Sequence, residues 1–512
     1  MHASPGLLPD WLAFRAATAP EHHALHSGGR RWTHAELDAD VSRMARRLLA
    51  LGVCSGDRVA TLLHNGAAAV VMVHAALRAG AILVPLNVRL ADAELAWQIG
   101  DCQPTLLVCD DRTAPRAAAA GAAHASLTIE PVGDVRAVTA ATHDAAPLRL
   151  AHPADAVLAI IYTSGTTGRP KGTMITVANC WWSALGSALN LGTRDDDRWL
   201  ACLPLFHVGG LSIVLRAAIY GITALVHDGF DADAVNHAID DEQVTIVSVV
   251  AVMLQRLLDA RGDRPFPPTL RCVLLGGGPS PLELLERCAA RRLPVMQSYG
   301  LTETASQVAT LAPADALTRV GSSGRALYPN EIQIRREDGT MAGPAEAGEI
   351  VVRGPVVTAG YAGRPDVTAR IIVDGWLHTG DIGQLDSDGY LHVLDRRDDL
   401  IITGGENVYP AEVEAVLLAH PWVDEAAVVG DADARWGQRV LAIVRLATEA
   451  PAGASNAELV LREHCRTRLA SYKVPAEVRV ATEPLPRTAS GKLRRGHLRQ
   501  TLHRAHERDA HP

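Results

Sequence analysis

The chain has 512 residues, 48% hydrophobic and 21% charged, with a formal net charge of −8 at pH 7. That length exceeds one compact core and implies two to four structural units at roughly 150 residues per domain. The acidic balance speaks against a nucleic-acid binder, which needs a basic face. It does not speak against a nucleotide held at one local site. Eight cysteines (Cys54, Cys102, Cys109, Cys180, Cys202, Cys272, Cys288 and Cys465) form no CxxC pair and no zinc spacing. They read as reduced core residues of a reducing compartment.

The opening residues lack a basic start followed by an apolar run, so no secretory signal is read and a cytoplasmic location is expected. His34 to Val53 has helical apolar spacing, and RVATLLH after it reads as a strand. The first part of the run Ala67 to Leu86 reads as a helix and its end, AILVPL, as another strand. The apolar run Ala67 to Leu86 is broken by His74, Arg78 and Gly80 and falls short of a membrane span. Further apolar runs follow at Thr105 to Asp110, Leu158 to Ser164, Thr223 to Asp228, Val244 to Val250 and Leu270 to Gly277. Continuous Val/Ile/Leu strands between helices predict mixed or parallel sheets covered on both faces. The Ala/Pro/Gly-rich stretch Ala114 to Pro153 reads as a variable connection. Beyond about Ile332 closer strands and turns predict a β-rich subdomain, and from about Asp395 a compact α+β module ends the chain.

YTSGTTGRPKG, Tyr162 to Gly172, packs glycines, hydroxyls and a lysine in the manner of a phosphate-holding loop. It departs from the P-loop of hydrolytic NTPases. Pro170 precedes Lys171, and Gly172 follows it where a magnesium-binding Ser/Thr is required.

The loop resembles the signature of the acyl-adenylate-forming superfamily, which takes in acyl-CoA synthetases, peptide-synthetase adenylation domains and luciferases. SYGLTET (Ser298 to Thr304), GWLHTGD (Gly375 to Asp381), DRRDDLIITGGENVYPAEVE (Asp395 to Glu414) and PRTASGKLRR (Pro486 to Arg495) resemble its other motifs, in the same order and spacing. The resemblance implies an α/β fold. A large N-terminal domain (1–397) of mixed sheets flanked by helices, plus a β-rich subdomain, precedes a small mobile α+β C-terminal domain (398–512).

It also implies a two-step reaction. A carboxylate attacks the α-phosphate of ATP to give an acyl-adenylate and pyrophosphate, and a thiol then displaces AMP. Such chemistry needs cations and donors where charge develops. Thr163, Ser164, Gly165, Thr166, Thr167, Gly168 and Lys171 are expected to close over the β- and γ-phosphates as a mobile loop. Thr302 is expected at the α-phosphate and Glu303 at Mg2+. Asp381 is expected on the ribose hydroxyls with Arg396 assisting, and Ser298, Tyr299, Gly300 and Gly277 around the nucleotide. Asp381 standing alone reads as a turn residue after Gly380. Lys492 standing alone reads as solvated surface; by resemblance it reaches the carboxylate and α-phosphate. Asp398 matches the family's hinge.

Gly404 and Gly405 are expected along the pantetheine tunnel, with Trp436 and Lys473 as contacts for the CoA nucleotide, or else as core packing and a surface charge. No carrier-protein segment is appended, so free coenzyme A is the expected thiol. LPLFHVGGLS, LLGGGPSP and SYGLTETASQ resemble the 2-succinylbenzoate–CoA ligases of menaquinone biosynthesis. By that resemblance His207 stands at the wall between acid and CoA tunnel, and Gly276 and Gly277 leave room for a flat ring. Ser306 and Gln307 face the keto group or second carboxylate. Arg216 is a candidate partner for that carboxylate, or else a surface or core ion pair. Other aryl, medium-chain or dicarboxylic acids, and a carrier-protein thiol, stay open, as does a homodimer.

Overall fold

The computed structural model describes residues 6–124, 126–137, 147–163, 169–278, 280–319, 321–395, 400–447, 456–486, 495 and 498. They fall into two compact units. The first takes in the described residues of 1–88, 98–162 and 172–394, the second those of 89–97, 163–171 and 395–512.

In the first unit the described residues form two large sheets. One has six strands in the order Lys171–Thr176, Val157–Thr163, Ile82–Pro85, Arg58–Leu62, Leu106–Cys109 and Thr128–Pro131. Its inner pairings are parallel. The other has nine, with a parallel centre of Val295–Leu301, Cys272–Leu275, Ile246–Val249, Arg198–Ala201, Thr223–Val226 and His23–Ser27. Antiparallel strands close its edges. Cys272–Leu275, Ile246–Val249 and Leu106–Cys109 are buried at every position, as their unbroken apolar sequence requires of a sheet covered on both faces.

The helix His34–Ala50 opens on a capping box, Thr33 with Glu36. It packs on Ala67–Ala79, whose residues from Ala69 onward are all buried. That explains why this helix is apolar on every side but for His74 and Arg78 without being a membrane span. Among the described residues no helix is long and apolar enough to cross a membrane.

A five-stranded antiparallel sheet, including Glu331–Arg335, Gly348–Arg353, Trp376–Leu385 and Leu391–Asp395, is the expected β-rich part. The described residues of Ala114 to Pro153 hold more regular structure than a plain connection. Its alanines form the helix Ala114–Gly121, as their propensity favours. Thr128–Pro131 adds an edge strand, where the proline's missing N–H does no harm. Ala151–Pro153 pairs with Leu7–Pro9.

The second unit holds a five-stranded sheet built on the long pair Val423–Asp433 and Gly437–Leu446. The helices Pro410–Leu418 and Ala457–Arg466 bury Val413, Leu417, Leu461 and Cys465 against it.

Candidate active site

Parallel sheets gather ligands at the carboxyl ends of their strands, and several of the first unit's expected site residues lie there. His207 follows Arg198–Ala201, Gly276 and Gly277 follow Cys272–Leu275, and Thr302 and Glu303 follow Val295–Leu301.

The last of these turns is tightly built. Thr302–Thr304 is a single 3-10 turn. Ala305 (φ 50°) and Ser306 (φ 95°) then adopt the left-handed region, at a cost of order 1–3 kcal/mol each. The chain reverses so closely that a Cβ at position 300 would lie 1.7 Å from the Ser306 carbonyl oxygen, so Gly300 is obligatory. The Thr304 hydroxyl accepts from the Leu301 N–H at 2.9 Å, and Ser183 Oγ donates to the Ala305 carbonyl at 2.8 Å.

Glu303 is half-buried. The Tyr361 hydroxyl donates to its Oε1 at 2.7 Å, and the Thr358 N–H donates to its carbonyl at 2.8 Å. A half-buried carboxylate so aimed suits a hard cation such as magnesium. Asp381 is buried, and the Tyr299 hydroxyl donates to its Oδ2 at 2.8 Å. Ser298 Oγ lies 2.9 Å from Thr310 Oγ1, so this serine is occupied within its own sheet.

Arg216 lies in the helix Val208–Tyr220 with 2% of its surface exposed. One guanidinium nitrogen donates to Ser183 Oγ at 3.0 Å, and the group sits 5.7 Å from the Trp199 ring centroid. Its Nε has no partner, and no ion pair reaches it among the described residues. Burial lowers its pKa, but a guanidinium stays charged in a protein. The alternative of a surface or core ion pair is therefore not what the described residues show. Gln307 is also buried, and neither polar atom of its amide has a partner among them. Ser212 Oγ reaches Ser306 Oγ at 3.5 Å, which joins the arginine's helix to the Ser306–Thr310 strand.

His207 caps the arginine's helix and is half-buried, its ring 4.7 Å from that of Phe206. Gly277 takes φ 82°, and a Cβ there would press Val250 at 3.0 Å. Gly276 faces the Ser298 carbonyl. Tyr361 and Ser183 were missed in the sequence, although the GY pair at 360–361 is a local cue.

In the second unit Thr163 Oγ1 donates to the Lys171 carbonyl at 3.5 Å. Ser164 to Gly168, Arg396, Asp398 and Lys492 lie outside the described residues. Gly404 (φ 59°) and Gly405 (φ 85°) form the turn between two strands. The Gly404 N–H donates to the Trp436 carbonyl at 2.8 Å, and the Trp436 ring covers Gly404 so closely that a Cβ there would lie 3.0 Å from it. Trp436 is 42% exposed.

Lys473 corrects an expectation. It is 3% exposed, and its Nζ donates to Glu94 Oε1 at 2.6 Å and Glu412 Oε1 at 2.8 Å. Burial acts to lower its pKa, but the two carboxylates outweigh burial and raise it. A buried lysine locked between two carboxylates is not a cation offered to the CoA nucleotide.

Residues 12–362 match the family described as AMP-binding enzyme, and 412–492 match the AMP-binding enzyme C-terminal domain. A 2-succinylbenzoate–CoA ligase of Geobacillus sp. (strain WCH70) is 47% identical over 500 residues, 97% of this chain and 98% of the relative. A double mutant of o-succinylbenzoate CoA synthetase from Bacillus subtilis, solved with a product analogue, is 42% identical with a TM-score of 0.89. It covers 96% of this chain and 99% of its own. The same enzyme with ATP and magnesium ion matches at 42% identity and a TM-score of 0.73, over the same shares.

Proposed function

The chain belongs to the AMP-binding enzyme family, and from that premise we propose that it is an ATP-dependent acid–CoA ligase acting on 2-succinylbenzoate. It works in the cytoplasm, in menaquinone biosynthesis. The observation that carries the choice of acid is Arg216, a buried guanidinium with no carboxylate partner among the described residues. An uncompensated buried charge is strongly unfavourable. A dicarboxylic acid supplies the missing anion: one carboxylate reacts and the other meets Arg216, and the unsatisfied Gln307 amide offers a further donor. Relatives bearing that name support the same acid.

One carboxylate oxygen attacks the α-phosphorus, the bond to the bridging oxygen breaks, and pyrophosphate leaves. Thr163, Lys171 and the run Ser164 to Gly168 steady the pyrophosphate. Thr302 donates to the α-phosphate, and Lys492 offsets the charge growing on it. Magnesium at Glu303 neutralises phosphate charge during this step. Asp381, oriented by Tyr299, accepts from the ribose hydroxyls, with Arg396 assisting. The CoA sulfur then attacks the acyl carbon, AMP departs and the thioester remains. His207 stands at the junction of acid and thiol, and Gly404, Gly405 and Trp436 line the thiol's approach. Asp398 is the hinge between domains 1–397 and 398–512.

A panel of acids in a pyrophosphate-release assay tests the reading. Release with 2-succinylbenzoate far above that with benzoate or medium-chain acids is expected. Another acid preferred over it overturns the assignment.

A further inference from the structure

Asn65 joins the ends of two sheets. It follows the strand Arg58–Leu62 of the six-stranded sheet and is half-buried. Its side-chain amide is spent on backbone 138 and 140 residues away. Nδ2 donates to the Leu203 carbonyl at 2.8 Å, and the Leu205 N–H donates to Oδ1 at 2.9 Å. That backbone leaves the strand Arg198–Ala201 of the nine-stranded sheet and runs straight into His207.

The same turn is confined from its far side. The His207 N–H donates to the Pro204 carbonyl at 3.1 Å, and a Cβ at Gly210 would lie 2.2 Å from that carbonyl oxygen. A planar amide that donates to one residue and accepts from the next but one fixes both the position and the rotation of the turn. Few side chains reproduce it, because a donor and an acceptor must sit on one short stem.

We infer that Asn65 is a positioning residue, which holds the Leu203–His207 turn so that the His207 ring meets the junction of acid and thiol. The inference rests on the proposed role of His207. Misplacing a group by about 1 Å can reduce a rate on the order of 10²-fold, and the step at risk is thiol attack.

The test compares Asn65→Ala, Asn65→Asp, His207→Ala and the Asn65→Ala/His207→Ala double variant in the full chain. Two rates are read: acid-dependent exchange of pyrophosphate into ATP, and complete thioester formation. Asn65→Ala is expected to slow thioester formation on the order of 10–10²-fold and exchange much less. The double variant should be no slower than His207→Ala, since both losses pass through one ring.

Asn65→Asp supplies a readout that a merely structural role would not move. A protonated carboxyl has one donor and one acceptor like the amide, whereas the ionised form only accepts and opposes the Leu203 carbonyl. Its thioester rate, taken as a ratio to the unsubstituted chain at each pH, should therefore rise as pH falls. The ratio removes pH effects common to both proteins, and His64, the preceding residue, is committed to Asp110 at 2.9 Å. An equal loss of both rates in Asn65→Ala, an additive double variant, or an Asn65→Asp ratio flat with pH overturns the inference. A His207→Ala enzyme of unchanged rate overturns the His207 reading and the inference with it. A slow His207→Ala enzyme beside an unimpaired Asn65→Ala enzyme overturns the inference alone.

Discussion

The hydroxyl of Tyr361 donates to Glu303 Oε1 at 2.7 Å across 58 residues of chain. The tyrosine is 9% exposed, so the bond is shielded from water. A hydrogen bond to a charged group contributes about 1.5–3 kcal/mol, enough to choose one carboxylate rotamer. Tyr361→Phe is expected to raise the magnesium concentration needed for half-maximal pyrophosphate exchange on the order of tenfold. Titrating exchange with magnesium at saturating ATP checks this, and an unchanged midpoint contradicts it.

Arg216 allows stability and activity to be separated. Replacing a buried charge by an apolar side chain of similar volume is often neutral or stabilising. Arg216→Met should therefore melt at or above the temperature of the unsubstituted chain. Its KM for 2-succinylbenzoate should rise on the order of 10²-fold, the scale of a lost desolvated charge pair. Thermal denaturation and steady-state kinetics on one preparation check both halves.

For Lys473 the expectation runs the other way. Removing it leaves Glu94 and Glu412 without the cation they share, and breaking such a buried arrangement costs about 3–5 kcal/mol. Lys473→Met should lower the unfolding midpoint of the second unit. Below that midpoint the KM for CoA should stay unchanged. A raised KM with intact stability would restore the CoA-contact reading.

His74 sets a pH dependence. It is fully buried near Asp10, Arg78 and His152, and burial pushes its pKa down to about 4, with Asp10 opposing. An unfolded histidine titrates near 6.5, so the unfolded chain binds more protons between those values. Stability is therefore complete above pH 6.5 and falls as pH drops towards 4, by roughly 1.4 kcal/mol per unit. Asp10 extends the trend. Burial acts to raise its pKa, but hydrogen bonds from His152 and Arg78 and the Arg78 charge hold it below the usual carboxylate range. The denaturation midpoint should fall from pH 7 to pH 5, and His74→Gln should flatten that fall.

Much of this was legible in the sequence. The strands at Arg58–Leu62 and Cys272–Leu275 and the helix His34–Ala50 follow from local periodicity, which short-range sterics and burial enforce. Glu303 and Asp381 stood out through the resemblance of SYGLTET and GWLHTGD to the acyl-adenylate-forming motifs, and the structure shows why the first of these carries Gly300. The partners Tyr361, Ser183 and Asn65 were not legible. Each acts on a residue 58 to 140 positions away, and nothing local encodes where such a side chain is aimed. Lys473 was misread for the same reason. The resemblance marked it as a CoA contact, while the carboxylates that hold it arrive from 61 and 379 residues away. Arg216 was half legible, as a lone charge in an apolar helix.

The central claim is that the carboxylate attacks the α-phosphorus of ATP and is then taken by a thiol. Acid labelled with oxygen-18 in its carboxylates, turned over with ATP and CoA, tests it directly by mass spectrometry of the products. One carboxylate oxygen becomes the bridge to phosphorus and leaves with AMP. The account predicts one labelled oxygen in AMP and none in pyrophosphate; label in inorganic phosphate with ADP as the co-product, or unlabelled AMP, would contradict it.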